Sequence, residues 1–210
     1  SKSRIIKIKV SPKMQQDEYF DERQAFSYLS SLKCPSNIQK DEKALNSIEI
    51  IASHSFKIEI VNMAMGAELN FCQIICNLID ECCIYLEKII IDLPAEQNDD
   101  LVQIIDICDN LVFIVQNFSH YSIEFMKKAY DNNLLAFLFR FLTNTKLIEL
   151  YNITNITITI DNPETHLYSK IEANLIRNVL GSLVNFSRIA SNYSVKWKAV
   201  NAVKVLLEIS

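Results

Sequence analysis

Glycine and proline are scarce in this chain, and their scarcity narrows the fold class. The sequence has two glycines, Gly66 and Gly181, and four prolines among 210 residues. A β-sandwich or barrel needs turn residues about every 8–12 positions, and this chain does not contain enough of them. Half of the residues are hydrophobic, which is enough for a sizeable core. The composition therefore predicts an all-α fold of helices joined by short polar links.

Long apolar runs and an excess of positive charge are also absent. No stretch reaches the roughly 18 uncharged apolar residues of a membrane span, and the basic segment SKSRIIKIKV lacks the apolar centre of a signal peptide. The formal net charge is −4, so no overall basic field favours nucleic acid. We therefore expect an intracellular protein, cytoplasmic or nuclear, with no membrane partner and a low affinity for nucleic acid.

Recognisable catalytic motifs are missing as well. The chain has no glycine-rich phosphate loop, no HExxH pair and no GxSxG elbow. His120 could be proposed as a general base, but the sequence names no partner for it. The expectation is a protein that is not an enzyme and that carries no cofactor.

Six cysteines are present, and four of them, Cys72, Cys76, Cys82 and Cys83, crowd one apolar segment. A zinc site usually needs paired short spacings on loops with complementary ligands, and the three histidines all lie outside this segment. The pattern favours free, buried thiols in a reducing compartment, with no metal.

Hydrophobic periodicity organises the chain into helices. Residues 1–16 have no such period and are expected to form an extended or disordered arm, followed by one helical-repeat domain over 17–210. Residues 151–161 alternate isoleucine with threonine or asparagine, which predicts an irregular extended segment without a sheet of its own. Helices are predicted over about 17–32, 41–53, 56–65, 67–93, 99–119, 123–129, 134–142, 163–188 and 194–209.

Three parts of the chain share the same order of predicted structural elements. A helix ends in a small polar signature, a short helix and a turn follow, and a dense aliphatic helix comes next. If Ile50, Asn117 and Asn185 are equivalent, Asn117 follows Ile50 by 67 residues and precedes Asn185 by 68. Regular spacing is typical of stacked helical repeats, in which each unit buries its apolar face against the next.

The sequences VQNFS, VNFS and MGAEL resemble parts of the armadillo repeat, over about residues 41–210. The resemblance implies a stacked-helix fold of the armadillo or HEAT kind, wound into a right-handed superhelix. It also implies a scaffold or adaptor that binds another protein or peptide. An armadillo repeat has about 42 residues, so each unit here would hold roughly 25 more.

The resemblance also suggests binding residues. In peptide-binding armadillo proteins, an asparagine at the end of the third helix hydrogen-bonds the ligand backbone, often beside a tryptophan one turn earlier. The matching asparagines are Asn117 and Asn185, and the tryptophan places are held by Phe113 and Gly181. In the first unit Ile50 and Asn46 stand there. The alternative is that both asparagines cap helix ends.

A basic and aromatic group near the end of the chain is a second candidate site. Trp197 lies between Lys196 and Lys198, which suits an acidic peptide or a phosphate. The alternative is that Trp197 packs into the last layer while the lysines extend to solvent. The ending VKVLLEIS is apolar, which predicts either further repeats or contact with a partner chain.

Two other classes of function stay open. An all-helical enzyme or ligand-binding domain would need an enclosed pocket among the cysteine-rich and phenylalanine-rich helices. A nucleic-acid-binding HEAT-like surface would need its basic residues on one face, and the candidates are Lys127, Lys128, Arg177, Lys196 and Lys198. The oligomeric state cannot be predicted from the sequence.

Overall fold

The computed structural model describes residues 21–32, 38–66, 70–92, 99–145, 147–148 and 165–209. Within these ranges every regular element is helical and none is a strand, which confirms the predicted all-α class. The predicted extended segments 1–16 and 151–161 lie outside the described residues. The α-helices are α1 (Glu22–Ser31), α2 (Glu42–His54), α3 (Ile58–Ala64), α4 (Phe71–Asp92), α5 (Asp99–Tyr121), α6 (Ile123–Asp131), α7 (Leu134–Thr143), α8 (Thr165–Ser187), α9 (Ser194–Ala199) and α10 (Ala202–Ile209).

Side-chain caps fix three of the helix starts. The Asp21 carboxylate accepts from the Gln24 backbone N–H at 2.9 Å, and the Gln24 side chain accepts from the Asp21 backbone N–H at 2.9 Å. This reciprocal pair begins α1 after residue 21, later than the predicted start at 17. Asp41 and Ser122 cap α2 and α6 in the simpler way, each accepting one backbone N–H from the first turn.

Left-handed asparagines precede the three dense helices. Asn70 (φ 40°), Asn133 (φ 60°) and Asn201 (φ 50°) stand directly before α4, α7 and α10. Asparagine tolerates this backbone region better than most residues. The predicted single helix over 194–209 is therefore wrong, because the chain turns at Asn201 between α9 and α10. The predicted start of the fourth helix at 67 is also wrong, since Asn70 is not helical.

The helices pack in two layers that follow the order of the chain. The long helix α5 contacts α2 on one side and α8 on the other, so these three form one layer. In the second layer α4 contacts α7, and α7 contacts α10. The short helix α6 contacts both layers, α3 packs on α1 and α5, and α9 packs on α7 and α10. Helix α1 packs on α2 and α4 at the first end.

A row of buried aromatic rings runs through these layers. Phe71 lies 4.7 Å from Phe26 and 5.8 Å from Phe118, measured between ring centroids, and Phe118 lies 5.5 Å from Phe125. All four side chains are at most 1% exposed. The row joins α1, α4, α5 and α6, and burial of each ring stabilises the fold by about 2–3 kcal/mol.

Helix α5 is apolar and long. By length and composition alone, residues 100–121 could cross a membrane, because an 18-residue window within them has a mean hydropathy of 1.4. In the structure 56% of that window is buried among the other helices, as in the central helix of a folded core.

Candidate interaction surface

The outward side of α2, α5 and α8 forms a continuous polar surface, which we call the long-helix surface. On α2 and α5 its residues recur three or four positions apart, the spacing of one helical face, and on α8 the adjacent Arg177 and Asn178 lie three or four residues before Gly181. All of them are exposed or half-buried. They are Asn46, Glu49 and Ser53 on α2, Asp106, Asp109, Phe113 and Asn117 on α5, and Arg177, Asn178, Gly181 and Asn185 on α8.

The two asparagines at the helix ends hydrogen-bond the preceding long helix. Asn117 Nδ2 donates to Ser55 Oγ at 2.7 Å. Asn185 Nδ2 donates to the Gln116 carbonyl at 2.9 Å and to Ser119 Oγ at 3.2 Å. Both serines are fully buried. The two side-chain amides therefore join neighbouring helices. The capping alternative expected each of them to bond the end of its own helix. A role in binding a ligand backbone stays a prediction.

These hydrogen bonds also set the register of the first unit. Ser55 and Ser119 are equivalent acceptors, because each receives a hydrogen bond from the asparagine of the next long helix. Ser119 follows Ser55 by 64 residues, close to the 63 between Asn70 and Asn133. Counted from these serines, Ser53 corresponds to Asn117, whereas the sequence pattern aligns Ile50 with it; the repeat itself stays a prediction.

Gly181 marks the closest approach of α8 to α5. A Cβ atom built there would lie 2.4 Å from Gln116 Nε2 and 2.8 Å from Gln116 Cδ. The absence of a side chain thus lets Gln116 lie across α8. Phe113 is half-buried and packs against the core. At the two positions where the resemblance expects a tryptophan, Phe113 thus lies at the edge of the core and Gly181 lies at the contact between α8 and α5.

Carboxylates crowd the middle of the long-helix surface. Asp109 Oδ1 accepts from Asn178 Nδ2 at 2.7 Å. Burial raises the pKa of Asp109 to about 6, and Asp106 adds to the rise, whereas the bond from Asn178 and the charge of Arg177 oppose it. Burial and the charge of Glu49 raise the pKa of Asp106. Negative charge from α2 and α5 therefore concentrates on this surface.

Sequence reasoning missed these carboxylates and Asn178. A signal was present, because Asp106 and Asp109 interrupt the otherwise apolar run LVQIIDICDNLVFIV on one helical face. Asn178 precedes Asn185 by two helical turns, which is a second signal.

The basic and aromatic group lies apart from that carboxylate cluster, on α9. Trp197 Nε1 donates to the Tyr130 hydroxyl at 2.7 Å, and its ring meets Phe139 edge-on at 6.0 Å. Lys196 Nζ donates to the Tyr130 carbonyl and, at 3.2 Å, to Asn133 Oδ1. Trp197 and Lys196 thus fasten α9 to α6 and α7, in agreement with the packing alternative for Trp197. Lys198 is exposed.

The eight residues predicted to bind a partner therefore fall in two places. Five of them, Asn117, Phe113, Asn185, Gly181 and Arg177, lie on α5 and α8, where Asn185 and Gly181 contact α5 while Asn117 bonds Ser55 at the end of α2. The other three, Lys196, Trp197 and Lys198, lie on α9. Arg177 is exposed and lies close enough to Asp109 to lower the pKa of that carboxyl.

A cleft of about 110 Å³ opens between residues 38–40, α4 and α5. Sites for drug-sized ligands usually measure about 300–1,000 Å³, so this cleft does not favour the ligand-binding alternative. Its lining residues are Ile38, Gln39, Glu81, Cys82, Ile84, Tyr85, Lys88 and Ile104.

The described cysteines are free and buried, as the sequence predicts. Burial raises the pKa of Cys83 and Cys108, and a hydrogen bond with Cys72 raises the pKa of Cys76. In the part of the chain that the structure describes, no group of three or more His, Cys, Asp or Glu side chains is placed to hold a metal ion. The free cysteines are Cys72, Cys76, Cys82, Cys83 and Cys108.

Comparison with known proteins found no matching family model, curated protein or solved structure. The armadillo-like interpretation therefore depends on the sequence pattern and on the packing described above.

Proposed function

We propose that this chain is a protein-interaction domain built from stacked helical units, and that its long-helix surface binds a basic segment of another protein. The observation that carries the proposal is the gathering of Glu49, Asp106 and Asp109 on one outward surface. Burial is the larger cause of the raised pKa of both aspartates, and the charge of Glu49 on Asp106 and that of Asp106 on Asp109 add to it.

A basic partner would stabilise these carboxylates. A lysine or arginine placed against them favours the charged form and lowers its pKa. Binding should therefore release protons near pH 6, the pKa of Asp109 in the unbound protein. Because such attraction is screened by ions, the affinity should fall as salt is added.

The packing of the helices supports the stacked-unit part of the proposal. Each unit consists of a long helix, a short helix, a left-handed asparagine and a dense helix. The long helices pack in order, α2 on α5 and α5 on α8, and the dense helices follow with α4 on α7 and α7 on α10. An arrangement in which each unit contacts the next is typical of armadillo and HEAT proteins, which expose an extended binding surface.

Two fluorescent peptides of equal length, one rich in lysine and arginine and one rich in aspartate and glutamate, test the charge preference. Fluorescence anisotropy should show tighter binding of the basic peptide, weakening with salt. The triple variant Glu49→Gln, Asp106→Asn and Asp109→Asn should weaken that binding by about tenfold or more.

A matched control removes three carboxylates elsewhere. Glu59 on α3, with Glu124 and Asp131 on α6, are exposed and lie outside the long-helix surface. The variant Glu59→Gln, Glu124→Gln and Asp131→Asn should keep the affinity of the wild-type chain. Equal affinity for the two peptides, or equal losses in the two triple variants, would overturn the proposal.

A further inference from the structure

The two ends of the helix stack differ in the chemistry of their exposed residues. At the first end α1 covers α2 and α4, and its outward residues Arg23, Ser27 and Ser31 are polar. At the other end Val203 and Leu207 on α10 are 74% and 71% exposed. Exposed apolar side chains one helical turn apart form a stripe of the kind that packs against another helix.

The positions that follow the three left-handed asparagines show how the equivalent stripes are buried elsewhere in the molecule. The second and sixth residues after each left-handed asparagine occupy equivalent places on the dense helices. In the first two units these residues are buried. The helices α6 and α7 pack on α4, and α9 and α10 pack on α7. In the last unit they are exposed. The three pairs are Cys72 and Cys76, Leu135 and Phe139, and Val203 and Leu207.

Charges beside the stripe make α10 complementary to itself. Lys204 Nζ lies 3.8 Å from Glu208 Oε1, and both side chains are largely exposed. If two α10 helices pair antiparallel about a twofold axis level with Val205, Val203 meets Leu207 of the second copy. Lys204 and Glu208 of the second copy are then offset along the helices, and their long side chains can still reach each other on each side of the axis. This pairing brings opposite charges together and buries the apolar stripe.

We propose that two copies of this chain associate through α10, last helix to last helix. The described residues of the first end, on α1, offer no exposed apolar stripe to match that of α10, so a closed dimer is expected in place of an open chain of copies. Val195, on the preceding helix α9, is also exposed, at 78%. The long-helix surface lies on another side, so this proposal does not depend on the proposed function.

Sedimentation equilibrium of the whole chain tests the proposal. The wild-type chain should show a concentration-dependent monomer–dimer equilibrium. Val203→Lys should shift it to monomer, because the ammonium would be buried against the second copy. Phe56→Lys, at an exposed apolar residue between α2 and α3, is the control and should leave the equilibrium unchanged.

A charge exchange tests the antiparallel pairing itself. Lys204→Glu and Glu208→Lys, each alone, should weaken the dimer by about tenfold, since each brings like charges together across the axis. The double exchange restores opposite charges and should restore the dimer. Circular dichroism should show the same helix content in all variants. A monomer at every concentration, growth beyond the dimer, or failure of the double exchange to restore association would overturn the proposal.

Discussion

Arg140 of α7 and Glu87 of α4 form a two-pronged ion pair. The guanidinium Nε donates to Oε1 at 3.0 Å and Nη2 donates to Oε2 at 2.9 Å. Nη1 of the same guanidinium donates to Asp80 at 2.6 Å. Hydrogen bonding to Glu87 is the largest of the effects that raise the pKa of Arg140. One side chain thus joins two turns of α4 to α7 within the layer of dense helices.

The substitution Arg140→Lys should lower the free energy of unfolding by about 1 kcal/mol, because an ammonium keeps the charge but cannot form the two-pronged contact. Urea unfolding followed by circular dichroism measures the change. Arg23→Lys on the exposed side of α1 makes the same chemical change and should cost much less. Equal losses at the two positions would show that the pair contributes nothing specific.

Gly181 and Gln116 should be energetically coupled. In the variant Gln116→Ala, the substitution Gly181→Ala should stabilise the protein by about 1 kcal/mol, the usual helix preference of alanine over glycine. With Gln116 in place, the new Cβ displaces the glutamine side chain and the gain should be smaller. Unfolding free energies of the four proteins give a coupling of about 1 kcal/mol. A coupling of zero would contradict the described contact.

The raised pKa of Asp109 makes a prediction about pH. With a pKa of about 6 in the folded protein and 3.8 as the ordinary value, the folded state binds the proton more tightly. This contribution to stability is complete below about pH 4 and is lost as the pH rises through about 6.

Asp109→Asn should therefore stabilise the protein at pH 7, by about 1 kcal/mol after allowance for solvent screening, and by much less at pH 4. The amide oxygen can still accept the hydrogen bond from Asn178. Urea midpoints measured at both pH values check this, with Asp131→Asn as an exposed control. A gain of equal size at pH 4 and pH 7 would assign the effect to packing.

The buried thiols should be unreactive in the folded protein. In a Cys34→Ser variant, the five remaining cysteines are all buried, and burial raises the pKa of Cys83 and Cys108. The thiolate is the reactive form, so reaction with Ellman's reagent should be slow and should follow unfolding. Denaturant should release all five at once. A thiol that reacts immediately under native conditions would contradict the described burial.

Most of the helix positions could be predicted because their signals are local. Asp41 caps α2 as its position before the apolar stripe suggests, and the period of α5 is clear in the sequence. The break at Asn201 has neither glycine nor proline beside it, so periodicity alone merged α9 and α10. An asparagine precedes each of the dense helices α4, α7 and α10, but only its positive φ angle shows that the chain turns there.

The candidate surface was predictable in part. Asn117 and Asn185 stand out as repeated helix-end residues, but their partners, Ser55 and Ser119, lie more than 60 residues earlier in the chain. Contacts at such distances depend on how neighbouring helices slide along each other, which no local pattern determines.

The three left-handed asparagines set where the chain changes direction, and they do so independently of the number of residues between them. Because the backbone of one residue sets each change of direction, the spacing between two such points can vary, from 63 positions in the first interval to 68 in the second. Across that variation α7 still packs on α4, and α10 packs on α7. A gene segment copied from one asparagine codon to the next would thus include the residue that sets its own change of chain direction. A protein of the proposed stacked-unit design can therefore grow by tandem duplication.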